Sequence, residues 1–163
     1  MCILWEYRDR GQKGYSLTET FFDMFQSKFP NYTIEGPKRA GADVQLKNVF
    51  SDYPNPTRPV DFVIRDNNKN VLAIGLARYD SDRGGAQEDD RTGGYNNCAK
   101  EILAYTSSKG LKTKVIFLND GPGLLLGSMW DDYSKLEKIN SDRIMVLTLR
   151  MLDERLTEEW LNF

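Results

Sequence analysis

Residues 59–79, PVDFVIRDNNKNVLAIGLARY, decide the fold. Residues 60–65 (VDFVIR) and 71–79 (VLAIGLARY) are apolar at most positions and rich in β-branched side chains, the pattern of strands buried on both faces. The DNNKN between them is polar turn chemistry. The two strands are therefore expected to form an antiparallel hairpin at the centre of a sheet. Just upstream, residues 51–59 (SDYPNPTRP), with three prolines, read as a loop inside the domain.

Working outward, Leu17, Phe21, Phe25 and Phe29 recur every four residues and predict a helix over 17–29. Ser16 with Glu19 fits a capping box, and Pro30 stops the helix. Residues 32–35 are a short strand candidate and residues 43–46 a weaker one. After the hairpin, residues 80–94 are charged and glycine-rich, and a helix is expected over 96–109 with Gly110 as its C-cap. A strand over 113–118, a helix over 128–138, a strand over 144–149 and a final helix over 152–161 complete the chain. The expected order is α-β-β-β-α-β-α-β-α, a mixed sheet flanked by helices. At 163 residues this is read as one domain, with 1–14 as an N-terminal extension.

The 163 residues contain no histidine. That excludes Ser-His-Asp and Cys-His catalysis, histidine general bases and histidine metal ligands. A metal site would rest on Asp, Glu and carbonyl oxygens, which suit Mg²⁺, Mn²⁺ or Ca²⁺. Two cysteines, Cys2 and Cys98, make no disulfide framework. With no membrane-length apolar run and no basic, apolar leader, the expected compartment is the cytoplasm. A net charge of −2 speaks against a dedicated nucleic-acid binder, although Lys and Arg do cluster locally.

The element order and the hairpin together resemble the PD-(D/E)XK nuclease superfamily, which includes many type II restriction endonucleases. In that family an Asp opens the second strand and a D/E-x-K tripeptide lies on the third. Here Pro59-Val60-Asp61-Phe62 stands at the first position and residues 75–77 at the second. The resemblance implies a restriction-endonuclease-like fold, a Mg²⁺ or Mn²⁺ cofactor and hydrolysis of double-stranded DNA. Two carboxylates on adjacent strands would hold the cation against the scissile phosphate, and the lysine would stabilise developing charge.

The tripeptide itself reads Gly75-Leu76-Ala77, with neither carboxylate nor lysine. Three accounts compete. The two positions carry inactivating substitutions, the domain is a naturally inactive relative used for binding, or the functional groups have moved. Under the third, Asp61 binds metal with Glu88 or Asp80 as second carboxylate, and Asp89 is a reserve. Arg78 then takes part of the lysine's charge role, while Lys38, Arg39, Arg83 and Arg91 contact DNA phosphates. Base recognition would come from loops, a homodimer or a partner specificity subunit. Under the second account the chain is a DNA-binding or protein-interaction module.

Several other residues have plainer readings. Glu19 is explained by its capping box, and Asp43 is the family-type aspartate only if the strands shift by one element. Lys100 and Glu101 read as helix surface, and Cys98 as a small buried residue.

Overall fold

Phenylalanine spacing does set the first helix. In the computed structural model, which describes residues 17–38, 41–79, 86–125 and 129–163, residues 17–28 are helical (α1). Leu17, Phe21, Phe22 and Phe25 are buried along one face of α1, and Phe29 at its end is also buried. The proposed cap, Ser16, lies outside the described residues.

The strands are β1 (Thr33–Glu35), β2 (Val44–Gln45), β3 (Pro59–Val60), β4 (Phe62–Arg65), β5 (Val71–Tyr79), β6 (Lys114–Asp120) and β7 (Ile144–Leu147). Five of them form one mixed sheet in the order β1-β4-β5-β6-β7. β4 pairs antiparallel with both β1 and β5, whereas β6 and β7 run parallel to β5. The long helix α2 (Ala86–Ser108) makes the crossover from β5 to β6. α3 (Met129–Ser134) lies between β6 and β7, and α4 (Leu152–Arg155) and α5 (Glu158–Asn162) follow β7.

Alternation along β5 divides the interior in two. Ile74 packs with Cys98, Ala99 and Ile102 of α2 and with Tyr133, and partly buried Leu76 joins them. Ala73, with partly buried Ala77 and Tyr79, faces the opposite core of α1 phenylalanines, Phe62, Leu152, Leu156 and Leu161. The fold is thus a five-stranded mixed sheet with helices on both faces.

The expected hairpin forms, with Phe62 opposite Gly75 and Ile64 opposite Ala73. Its turn is held by Asp66, whose Oδ1 accepts from the backbone N–H groups of Asn68 (2.8 Å) and Asn70 (2.9 Å). Lys69 adopts the left-handed conformation there, at φ 67°. Other elements depart from the reading. The run 60–65 is two strands, because the chain changes partners at Asp61: Val60 pairs with Val44, and Phe62 with Gly75. This adds a two-stranded ladder, β2-β3, to the expected nine-element order. α2 starts ten residues earlier than expected, at Ala86 and not at Asn96, running through Gly93 and Gly94. The final helix is two helices, because Thr157 is extended (φ −114°, ψ 157°) and its side chain accepts from the Trp160 N–H, capping α5.

Candidate functional site

Asp61 stands where β3 hands over to β4. Its N–H donates to the Gly75 carbonyl (2.9 Å), and its Oδ2 accepts from the Ala77 N–H (2.7 Å). The carboxylate therefore takes a rung of the ladder that a backbone carbonyl would otherwise fill. Across the β2-β3 ladder Val44 pairs with Val60, so continuing that register by one residue sets Asp43 opposite Asp61. Burial pushes the Asp61 carboxyl up to about 6; the Ala77 bond opposes this, and the charge of Asp43 adds to it. Gly36 backs the site. A Cβ at this position would run into the Asp61 carbonyl oxygen, and its φ is 152°. Asp43 was expected as an alternative to Asp61, but the fold brings both carboxylates to one place.

The neighbouring rung explains the empty tripeptide. Gly75 lies directly across from Phe62, and a Cβ on it would come within 1.9 Å of the Phe62 ring. That ring is fully buried and held by Phe21 (5.0 Å between centroids) and Phe22 (6.1 Å, edge-on). A carboxylate at position 75 would require Phe62 to leave. Ala77 is two residues on and packs on the same core.

Arg78, one residue further, is half-buried and stands beside Asn119 of β6 in the parallel register. By alternation it projects on the α2 side, away from the face that carries positions 75 and 77. Lys38 is exposed two residues beyond Gly36, and so leaves β1 at the same end of the sheet as Asp61. It lines an open cavity of about 450 Å³ with Phe22, Asp23, Gln26, Ser27 and Ile34. Arg39, Asp80 and Arg83 lie outside the described residues. Glu88, Asp89 and Arg91 fall within the opening turns of α2, and their side chains are likewise not described. Because α2 joins two parallel strands, its N-terminal end returns to the end of the sheet where β5 finishes.

Two features here were not visible in the sequence. Asn119 is fully buried at the end of β6, with neither its amide oxygen nor its nitrogen partnered. Its neighbour Asp120 accepts from the N–H groups of Gly121 (2.8 Å) and Leu149 (3.0 Å), tying the ends of β6 and β7 together. The second feature is the docking of residues 46–58 on α2. Phe50 and Tyr53 pack their rings on Tyr105 (5.2 and 4.9 Å), and Asp52 bonds Tyr105 and Lys109. Arg58 Nη2 meets Glu101 Oε2 at 2.6 Å.

Glu101 is thus not plain helix surface, although Lys100 beside it is exposed. Burial works against the Glu101 carboxylate, but the bonds from Arg58 and Tyr53 hold it below the ordinary range. Cys98, next to this pair, is buried, and burial raises its thiol to about 11, which makes it a poor nucleophile.

Among the described residues, no group of three acids or cysteines is placed to hold a metal ion. Nor, among them, is any helix long and apolar enough to cross a membrane. Compared with protein-family models, curated proteins and solved structures, the chain gives no match.

Proposed function

We propose that the chain is a metal-dependent DNA endonuclease domain of the restriction-enzyme type, with Asp61 as the anchor of its metal site. The observation that carries this reading is the pair of carboxylates, Asp43 and Asp61, set opposite each other at the mouth of the hairpin. The donor set fits a hard divalent cation. One Asp61 oxygen is engaged by Ala77, which leaves its second oxygen and the Asp43 carboxylate as oxygen donors. Mg²⁺ commonly uses one or two protein carboxylates and completes its shell with water and substrate phosphate.

Glu88 or Asp80 would add a third acid from the segment that follows β5. When bound, the cation would supply Lewis-acid stabilisation of the phosphoryl charge. The chain's own part is to hold the phosphate in line. Arg78 would stand by the leaving group from the α2 side, and Lys38, Arg39, Arg83 and Arg91 would grip the backbone by charge. Double-stranded DNA, a homodimer and a partner specificity subunit belong to the same proposal, as does a cytoplasmic setting.

One observation favours a second reading, an inactive nuclease-like module used for binding. Phe62 occupies the space over Gly75, so the hairpin face that carries the family's acid and lysine is packed as core.

Calorimetric titration of Mn²⁺ decides between the two, run on the chain and on Asp61→Ala and Asp43→Ala variants, with and without a short DNA duplex. The nuclease reading expects a heat of binding that vanishes in Asp61→Ala and weakens at least tenfold in Asp43→Ala. Nicking of supercoiled DNA should follow the same ranking. Cation binding indifferent to Asp61, or DNA binding without any cleavage, leaves the module reading.

A further inference from the structure

At the end of the sheet opposite Asp61, where β5 begins, lies an open cavity of about 450 Å³. Part of its lining is apolar: Phe50 and Leu161 are buried, and Val71 is half-buried. Leu111 joins them and is 42% exposed. Cations gather around this surface. The parallel register of β5 and β6, carried back two residues from Ala73 and Lys114, sets Lys112 beside Val71. Arg65 pairs with Val71 from the other side, and Lys69 of the hairpin turn lines the same cavity.

The acids nearby are already engaged. Glu35 pairs with Arg65, and both oxygens of Asp66 are held by Asn68 and Asn70 within the turn. Lys69 and Lys112 form no ion pair with any described residue. Lys69 also sits in the left-handed conformation, which glycine or asparagine adopts more readily. Asparagines occupy the positions on either side of it, yet the lysine takes this place.

Two unpaired ammonium groups beside an apolar surface are complementary to a molecule anionic at one end and apolar at the other. A purely hydrophilic anion would leave the apolar lining unused, and a neutral apolar molecule would leave both charges unpaired. A protein partner would need a wider apolar centre than Leu111 alone offers. The cavity volume falls within the range of small-molecule sites. We propose that this cavity binds a medium-chain carboxylate, its head between Lys69 and Lys112 and its chain against Val71, Phe50 and Leu111. The site is remote from Asp61 and independent of any metal there.

The test is calorimetric titration of octanoate into the full chain, with 1-octanol and acetate titrated separately, joined to methyl NMR. Saturable octanoate binding is expected, with shifts concentrated on the methyl groups of Val71, Leu111 and Leu161. Octanol, which lacks the charge, and acetate, which lacks the chain, should each bind about tenfold more weakly or worse. Lys112→Gln should weaken octanoate severalfold, and so should Lys69→Asn, a substitution that suits the turn and so keeps the fold. Thermal unfolding of both variants confirms that they are folded. The proposal is overturned if octanoate does not saturate, if octanol or acetate binds as well, if the shifts lie elsewhere, or if the folded lysine variants bind octanoate unchanged.

Discussion

Replacing Gly75 by alanine lowers the stability of the chain by about 3 kcal/mol, the upper part of the usual range for forcing extra volume into a packed core. The added Cβ has no room, because the Phe62 ring already lies over the glycine. The ring cannot retreat easily, being enclosed by Phe21 and Phe22. Phe62→Ala alone should also destabilise, by about 4 kcal/mol, through the cavity it opens. Together the two changes should cost about 2 kcal/mol less than their sum, since each relieves the other. Urea unfolding of the four proteins measures this cycle. Simple additivity would show that ring and glycine are not the matched pair described. The same geometry bears on the empty tripeptide. Gly75 and Phe62 are fitted to each other, so glycine is the residue this hairpin requires.

Asp61→Asn raises stability at pH 7.5, by about 2 to 3 kcal/mol. The Asp61 carboxyl is shifted from 3.8 to about 6, roughly two units at about 1.4 kcal/mol each. The folded chain therefore holds this proton more tightly than the unfolded chain does. Between pH 4 and 6 the wild type loses stability as pH rises, and above 6 the loss is complete. Asparagine keeps an acceptor for the Ala77 N–H without the buried charge, so its stability is flat through that window. The two proteins should converge at pH 4 and differ most at pH 7.5 in thermal unfolding. An equal difference at both pH values would sink the assignment of the penalty to Asp61. Adding Mn²⁺ at pH 7.5 should raise the melting temperature of the wild type only. A residue whose removal stabilises the fold is one retained for something other than folding.

Much of the frame was legible because its signals are local. The hairpin announces itself by apolar runs around DNNKN, and α1 by phenylalanines at helical spacing. The start of α2 was not legible, because Gly93 and Gly94 disfavour helix intrinsically. Both are exposed with nothing near their missing side chains, so the helix tolerates them without any packing cost.

In the site, Asp61 stood out as an acid in an apolar strand. The place of Asp43 did not, since it depends on a ladder only two residues long that carries no propensity signal of its own. The match of Phe62 to Gly75 needs the register of the hairpin, and the burial of Asn119 needs α2 above the end of β6. Neither is a property of neighbouring residues in the chain.

Cys98 lies under residues 46–58, beside the Arg58–Glu101 contact, and is almost fully buried. Reagents in solution reach its sulfur only when that covering segment lifts. With Cys2 replaced by serine, the rate at which Cys98 is labelled becomes a clock for local opening, read without unfolding the domain. If the segment opens far more often than the whole chain unfolds, then the strand entry that delivers Asp61 breathes independently of the sheet, and the acids at its neck are set by an equilibrium and not by a fixed scaffold.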